Sequence, residues 1–189
     1  MSGASIVFVD GIDGSGKTVF ATHWAAALDR LGTRAVVVPV DDFRCEVNWD
    51  DPRGEAEVYW SEYFDLDALE ARLAQEAADG GVVLVEGIFT LRLRSAAQCP
   101  LVYLEVGVEE CRRRIVARDT GKGRTLEDVQ HRMSARYFPA QQRYRDTYRP
   151  VDRAAVLIDN ARPEAPRILR ADWSGFSPAG KQSLLGLMK

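Results

Sequence analysis

The sequence predicts an α/β fold: a doubly wound, mostly parallel five-stranded sheet with helices on both faces. The first observation is that five short apolar runs are continuous rather than alternating, as expected of strands covered on both faces. The second is that helical patterns separate these runs, and strands that alternate with helices form parallel sheets. The predicted strands are residues 5–10, 35–40, 82–86, 101–106 and 154–158.

Four helices are predicted between and beyond these strands, at residues 17–31, 66–78, 108–119 and 126–144. Gly32 follows the first helix and suits its C-terminal cap. Asp65 precedes the second helix and suits its N-cap, because a short carboxylate can accept from the free N–H groups of a first turn. Thr125 precedes the fourth helix, with Asp128 three residues later, which is close to a capping box.

Residues 1–161 are predicted to form one domain, followed by a C-terminal tail at 162–189. A chain of 189 residues with 46% hydrophobic content can bury a core without a metal or a disulfide. The tail contains Pro163, Pro166 and Pro178 and shows little periodicity. It is expected either to wrap around the domain or to be partly mobile.

Composition and charge exclude several classes of partner. The formal net charge is −3, which argues against non-specific binding to nucleic acid or to anionic membranes. Residues 1–9 lack the pattern of a secretory signal, and no apolar run reaches the roughly 18 residues of a membrane helix. Cys45, Cys99 and Cys111 are widely spaced and are interpreted as reduced thiols. A cytoplasmic protein is predicted, and its oligomeric state is left open, a homo-oligomer included.

A glycine-rich stretch joins the first strand to the first helix. Residues 11–18 read GIDGSGKT and match G-x-x-x-x-G-K-[ST], the phosphate-binding loop (P-loop) pattern, at every fixed position. The backbone N–H groups of such a loop converge on phosphate oxygens at the positive end of the following helix. Lys17 would reach the terminal phosphates of ATP, and the Thr18 hydroxyl would ligate Mg²⁺. The residues predicted to bind the nucleotide are Gly11, Asp13, Gly14, Ser15, Gly16, Lys17 and Thr18.

Two other classes of P-loop protein lack their signatures in this sequence. A GTPase would carry the motif N-K-x-D, which does not occur. A motor or AAA-type ATPase is expected to end a strand in adjacent acidic residues, whereas the third predicted strand ends in Glu86 followed by Gly87. The chemistry is therefore expected from the side chains at the carboxyl ends of the strands, where such sheets bind ligands.

Carboxylates follow the second and third predicted strands. Asp41 and Asp42 lie in PVDDFR, where one of them could accept the proton of an attacking hydroxyl. The alternative is that one aspartate caps a turn. Glu86 lies in VEGIF, where it could hold Mg²⁺ through water or bind a substrate hydroxyl; the alternative is a strand-end carboxylate that faces solvent. The functional interpretation is favoured at both places.

A dense basic segment follows the fourth predicted strand. Arg114 and Arg118 are four residues apart, on one face of a helix, and Lys122 and Arg124 lie in the glycine-containing loop beyond it. Phosphoryl transfer spreads negative charge over the equatorial oxygens, and arginines that close over the site stabilise that charge. We therefore predict an arginine-rich lid at about residues 112–125, in preference to a solvated helix face.

Together these motifs resemble the uridine kinase-like P-loop kinases, which are related to phosphoribulokinase and bacterial pantothenate kinase. The resemblance covers roughly residues 5–160. Besides the P-loop it rests on residues 41–44, similar to D-x-F-Y; 48–52, similar to N-F-D-x-P; 64–69, similar to F-D-x-D-x-L; 86–88, similar to E-G-I; and 113–124, similar to the arginine helix and lid. Arg44 replaces the family's aromatic residue, which could favour an acidic or phosphorylated acceptor.

The resemblance implies an ATP- and Mg²⁺-dependent kinase that phosphorylates the 5′-hydroxyl of uridine or cytidine. In that family the D-x-F aspartate acts as the base and the N-F-D aspartate binds sugar hydroxyls, roles that pass to Asp41 and Asp50. The predicted catalytic residues are Lys17, Asp41, Arg114, Arg118 and Arg124. The predicted acceptor-binding residues are Asp41, Phe43, Arg44, Asp50 and Glu86. The predicted metal-binding residues are Thr18 and Glu86.

Three alternatives stay open. The acceptor could be another alcohol, such as nicotinamide riboside, pantothenate or a sugar. The stretch GIDGSGK also resembles the loop of thymidylate kinases, which phosphorylate a nucleoside monophosphate, although their D-R motif is missing after the second strand. A nucleotide-dependent switch would bind ATP without a second substrate, and it would leave Asp41 and Asp50 unexplained.

Two further groups of residues are interpreted as structural. Tyr59, Trp60 and Tyr63 could stack on a base, but aromatic residues at helical spacing more often pack in a core. His23 follows the P-loop on the first helix and is expected to pack or to face solvent.

Overall fold

Six strands form one sheet in the computed structural model, which describes residues 5–188. They are β1 (Ser5–Asp10), β2 (Ala35–Pro39), β3 (Val82–Glu86), β4 (Leu101–Glu105), β5 (Val156–Asp159) and β6 (Arg167–Ala171). The strand order is β2-β3-β1-β4-β5-β6, and every neighbouring pair is parallel except β5 with β6. The predicted α/β fold with a mostly parallel sheet is confirmed. Residues 1–4 and Lys189, which the prediction assigned to the domain and the tail, lie outside the described residues.

The structure adds a sixth strand to the five that the sequence predicts. β6 lies within the predicted tail and pairs antiparallel with β5, with Ile158 opposite Ile168. Its sequence, RILRA, is mostly exposed, because an edge strand has one neighbour in the sheet and makes few apolar contacts. It therefore lacks the continuous apolar run that identifies the other five strands.

The helices lie on both faces of the sheet. They are α1 (Lys17–Arg30), α2 (Glu55–Ser61), α3 (Leu66–Ala78), α4 (Val108–Thr120), α5 (Leu126–His131), α6 (Phe138–Tyr148), α7 (Pro150–Arg153) and α8 (Pro178–Gly186). The predicted capping residues are confirmed: Gly32 has φ +73, Asp65 accepts from the Ala68 N–H, and Thr125 accepts from the Asp128 N–H. Within residues 5–188, no helix has the length and apolar character needed to cross a bilayer.

The fourth predicted helix is irregular. A π-helical segment, Arg132–Tyr137, connects α5 to α6, and the helical path continues to Tyr148. Pro139 lies in the first turn of α6. Proline has no N–H to donate, so the regular hydrogen-bond ladder is interrupted there. A π-helical turn accommodates such an interruption without ending the helix.

Apolar side chains cover both faces of the sheet. One core contains Phe8, Val83, Val85, Tyr59, Phe64, Phe89 and Tyr144. The other contains Val7, Val9, Leu84, Trp24, Leu28 and Leu184. Helix α8 belongs to the second core, where Trp24 Nε1–H donates to Ser183 Oγ at 2.8 Å. Part of the predicted tail thus packs on α1, while the domain boundary at residue 161 stays a prediction.

Candidate active site

The P-loop and the carboxylates that follow β2 and β3 meet in one cleft at the carboxyl edge of the sheet. β1 is the direct neighbour of β3, so the loop after β1 lies beside the end of β3. The cleft has a volume of about 390 Å³. The predicted site residues that line it are Asp13, Gly14, Gly16, Lys17, Thr18, Asp41, Glu86, Arg114 and Arg118.

Two glycines of the P-loop are required by its geometry. A side chain at Gly14 would place its Cβ 2.6 Å from the carbonyl oxygen of Cys111, and one at Gly16 would place it 2.8 Å from Asn160 Nδ2. Both glycines have positive φ, +82 and +92, a region that other residues rarely adopt. The loop therefore lies directly against α4 and against the residue that follows β5.

Lys17 and Ser15 are buried polar side chains of the same loop. Lys17 Nζ donates to the carbonyl oxygen of Ile12 at 3.1 Å. The Ser15 hydroxyl has no hydrogen-bond partner among residues 5–188, although buried polar groups are normally paired. Lys17 lines the cleft, so an anionic group seated in the loop would offer it acceptor oxygens. The loop therefore fits the phosphates of a nucleotide.

Thr18 and Glu86 form the oxygen pair that is predicted to hold a metal. The Thr18 hydroxyl donates to Glu86 Oε1 at 3.0 Å. Burial raises the pKa of the Glu86 carboxyl; Lys17 and the bond from Thr18 oppose that rise, while Asp41 and Asp42 add to it. Mg²⁺ prefers oxygen ligands and usually takes one or two protein groups together with phosphates and water. The pair fits Mg²⁺ in that manner. Among residues 5–188, no three His, Cys, Asp or Glu side chains form a metal site of their own.

Asp41 lies in a short 3₁₀ segment, Val40–Phe43, directly after β2. Loss of hydration in the cleft raises the pKa of its carboxyl; the positive charge of Arg44 opposes that rise and the negative charge of Asp13 adds to it. The Arg44 guanidinium also donates a hydrogen bond to the Asp41 carboxylate. A carboxylate with a raised pKa is a better proton acceptor near neutral pH.

Arg114 connects the P-loop to the residues after β5. Its Nη1 donates to the Gly14 carbonyl oxygen at 3.3 Å. Its Nη2 donates to the carbonyl oxygens of Ala161 at 2.8 Å and Asn160 at 3.2 Å. Its Nε donates to Glu110 at 2.7 Å. Arg114 therefore supports the loop and offers only part of its donor set to a phosphate.

The other two predicted lid arginines lie further along the chain. Arg118 lines the cleft, and its Nε donates to Asp119 at 2.7 Å. Arg124 pairs with Asp128 at 3.2 Å, close to the start of α5. Of the three predicted lid arginines, Arg118 is thus the one whose side chain both lines the cleft and is half exposed. Closure of the lid stays a prediction.

The predicted acceptor residues lie on the segment after β2. Phe43 packs against the aromatic core. The guanidinium carbon of Arg44 lies 5.9 Å from the ring centre of Tyr63. Asp50 is exposed, and its backbone N–H donates to the side chain of Asn48 at 3.1 Å. Arg44 does not itself line the cleft but bonds Asp41, which does. Asp50 lies on an exposed turn.

Tyr59 packs in the core, as the sequence predicts. It is 4% exposed, and four aromatic rings lie with their centres 5.2 to 5.8 Å from its own, those of Tyr63, Phe64, Phe89 and Tyr137. Its hydroxyl donates to Asp13 Oδ2 at 3.4 Å. The ring is therefore packed in the core, while its polar end touches the P-loop.

Several residues of the cleft were not among the predicted site residues. Asn160 directly follows β5, is 2% exposed, and donates from Nδ2 to the Ser15 carbonyl oxygen at 2.7 Å. The apolar end of the cleft is lined by Val19, Phe20, His23, Pro163, Pro166 and Leu187. His23 thus lies at the cleft. A polar residue at a strand end was an available signal for Asn160, whereas nothing local marks the residues from the predicted tail.

Comparison with known proteins establishes the fold. No protein-family model and no curated protein match the chain. A solved structure of a candidate uridine kinase from Bacillus stearothermophilus is 20% identical with a TM-score of 0.64, over 83% of this chain and 89% of that one. A candidate fructose transport system kinase from Silicibacter sp. TM1040 is 21% identical with a TM-score of 0.62, over 77% of this chain and 86% of that one. The chain shares the fold of these two structures, and at these identities the likeness is one of fold alone.

Proposed function

We propose that this protein is a kinase that transfers the γ-phosphoryl group of ATP to a hydroxyl group of a small molecule. One observation carries the proposal: in a single cleft, Lys17 and Thr18 of the P-loop meet two strand-end carboxylates, Asp41 and Glu86. A P-loop alone accounts for nucleotide binding, and the carboxylates supply what a hydroxyl acceptor needs. The two solved structures that share the fold also carry the names of kinases.

The residues divide the work of phosphoryl transfer. The P-loop backbone and Lys17 bind the ATP phosphates, and Arg118 faces the charge that develops on the transferred group. Mg²⁺ held by Thr18 and Glu86 would neutralise charge on the β- and γ-phosphates. Asp41 orients the acceptor hydroxyl and takes its proton as the new O–P bond forms and the bond to the β–γ bridging oxygen breaks. Arg114 and Arg124 complete the proposed catalytic set, the first by holding the loop and the second from the lid.

The acceptor that the motifs favour is the 5′-hydroxyl of a pyrimidine nucleoside, uridine or cytidine. The support is the order of the D-x-F, N-x-D-x-P and E-G-I segments along the chain. In this proposal Asp50 binds sugar hydroxyls, and Phe43 and Arg44 contact the rest of the nucleoside. Nicotinamide riboside, pantothenate and sugars are alcohols that would use the same chemistry.

A nucleoside monophosphate is a second candidate acceptor, favoured by the position of Arg44. Its guanidinium bonds the Asp41 carboxylate and is half exposed. Guanidinium groups bind phosphates and carboxylates with two parallel hydrogen bonds. An acceptor that already carries a phosphate would therefore find a partner directly beside the proposed base.

The test is ADP release with ATP and Mg²⁺ across a panel of acceptors. The panel contains pyrimidine and purine nucleosides, nicotinamide riboside, pantothenate, sugars and nucleoside monophosphates. We expect the strongest signal with uridine or cytidine. A signal with monophosphates alone would move the acceptor to the second candidate. Tight ATP binding with no acceptor-dependent ADP release would overturn the kinase proposal in favour of a nucleotide-dependent switch.

The proposed base provides a sharper test. Asp41→Asn keeps the shape of the side chain but removes proton acceptance, so turnover should fall by about a hundredfold or more. The dissociation constant for ATP, measured by titration calorimetry, should stay close to that of the unaltered protein. Asp42→Asn, at the next residue, is the matched control and should have a much smaller effect. Near-normal turnover of Asp41→Asn would contradict the role of Asp41 as the base.

A further inference from the structure

We propose that Gln141, in α6, is a positioning residue that presets the P-loop for nucleotide phosphates. The proposal rests on the proposed function in one respect, that the loop binds a nucleotide. Gln141 is 2% exposed and lies 128 residues from the P-loop residue that it contacts. Nothing in its local sequence marks it, and its role follows from what its amide group touches.

Gln141 contacts Asp13 with both atoms of its amide group. Its Oε1 accepts from the Asp13 backbone N–H at 3.0 Å, and its Nε2 donates to Asp13 Oδ2 at 2.8 Å. One planar group therefore fixes both the direction of the peptide and the rotamer of the carboxylate. The following residue is Gly14, whose close contact with α4 leaves the loop little freedom to compensate.

The contact also bears on the charge of the loop. Asp13 lines the cleft, so a carboxylate with a free rotamer would bring negative charge toward the phosphates of a bound nucleotide. Two negative charges that lie close together repel each other strongly where they are partly shielded from water. Hydrogen bonds from Gln141 and from the Tyr59 hydroxyl, which is 3.4 Å from Oδ2, hold that carboxylate in one place and offset part of its charge.

A second residue of α6 holds the start of the loop. The Tyr144 hydroxyl donates to Asp10 Oδ2 at 2.5 Å, and Asp10 Oδ1 accepts from the Gly11 backbone N–H at 2.5 Å. Gln141 and Tyr144 are three residues apart and so lie on one side of the helix. Helix α6 therefore fixes the loop at two points, one on either side of Ile12, whose carbonyl oxygen accepts from Lys17.

The experiment removes the amide of Gln141 and keeps its volume. Gln141→Met should weaken the binding of ATP and ADP roughly tenfold to a hundredfold, because two partly buried hydrogen bonds are lost, one of them to a charged group. The KM for ATP should rise by a similar factor, with a much smaller change in kcat. Gln142→Met is the matched control, since Gln142 is exposed and bonds Asp146 on the same helix; it should leave both quantities unchanged.

An exchange of charge tests the contact itself. Gln141→Glu places a second carboxylate against Asp13 and should weaken nucleotide binding at least as much as Gln141→Met. Combining it with Asp13→Asn restores the two hydrogen bonds, because the new carboxylate at position 141 can accept from both the backbone N–H and the new amide at position 13. The double variant should recover most of the affinity, which a loss of general stability would not explain.

Two outcomes would overturn the inference. Unchanged affinity for ATP in Gln141→Met would show that the loop does not depend on this contact. A double variant as weak as Gln141→Glu alone would show that the effect does not pass through Asp13. Absence of ATP binding by the unaltered protein is a different result, because it would overturn the proposed function together with the inference that rests on it.

Discussion

The two walls of the cleft are built differently. The P-loop wall is held by hydrogen bonds between residues far apart in sequence, Asn160 with Ser15, Arg114 with Gly14 and Gln141 with Asp13. The residues proposed to contact the acceptor or to form the lid, here called the acceptor wall, are held by ion pairs between near neighbours in sequence, Arg44 with Asp41, Arg118 with Asp119 and Arg124 with Asp128. Of these, Asp41 and Arg118 line the cleft. Each of these three pairs has an arginine that is roughly half exposed, and exposed ion pairs contribute at most about 1 kcal/mol.

This difference indicates which wall is fixed before ligands bind. The P-loop wall cannot move without breaking hydrogen bonds that are buried or partly buried, and such bonds are costly to leave unmade. The acceptor wall can exchange its ion pairs for contacts with substrate at little cost in stability. In the proposed reaction, a preformed P-loop wall would hold the ATP phosphates while the acceptor enters and leaves beside an adaptable wall.

The largest expected effect comes from removing the charge on the fixed wall. Lys17→Met should lower the rate of phosphoryl transfer by about a hundredfold to a thousandfold, because a preorganised positive charge is lost at the phosphates. ADP release and calorimetric titration with ATP measure the effect. Lys181→Met, on α8 at the protein surface, is the control. Equal rates for the two variants would contradict the placement of Lys17 at the phosphates.

The next effect concerns the backbone of the fixed wall. Gly14→Ala should destabilise the protein by roughly 2–4 kcal/mol, since it adds left-handed strain to a clash with the carbonyl oxygen of Cys111. Gly32→Ala has a similar φ, +73, but open space around its Cβ, so it should cost only about 1 kcal/mol. Urea unfolding followed by circular dichroism compares the two. Equal losses would mean that the close approach of loop and helix is unimportant.

The smallest effect tests the adaptable wall through its pH dependence. As the proposed base, Asp41 would act when deprotonated, so turnover should fall as the pH drops through its raised pKa. Arg44 opposes that rise, and Arg44→Ala should therefore move the acid limb of the kcat profile to higher pH, with little change in stability. Arg94→Ala, which breaks an exposed pair with Asp67, is the control. An acid limb that stays in place or moves to lower pH would contradict the coupling.

The sequence was informative where structure is decided locally. The P-loop pattern lies between β1 and α1 as predicted, and the caps at Asp65 and Thr125 hold because capping depends on three or four consecutive residues. The continuous apolar runs located the five strands of the parallel part of the sheet. These features require no knowledge of how distant segments meet.

What the sequence could not predict depends on distant contacts. The π-helical segment and the edge strand β6 follow from packing rather than from periodicity. Asn160 and Gln141 are ordinary polar residues until the fold brings them to the P-loop. The proposed acceptor and lid residues Asp50 and Arg124 are the extreme case, since they lie on exposed segments with few contacts of their own.

The apolar end of the cleft has a consequence for how a ligand could stabilise the fold. Val19 and Phe20 directly follow the P-loop, whereas Leu187, which lines the same cleft, lies far along the chain. A ligand stabilises only the state that it binds. ATP bound in the proposed manner would therefore stabilise the state in which the segment that contains Leu187 is docked on the cleft.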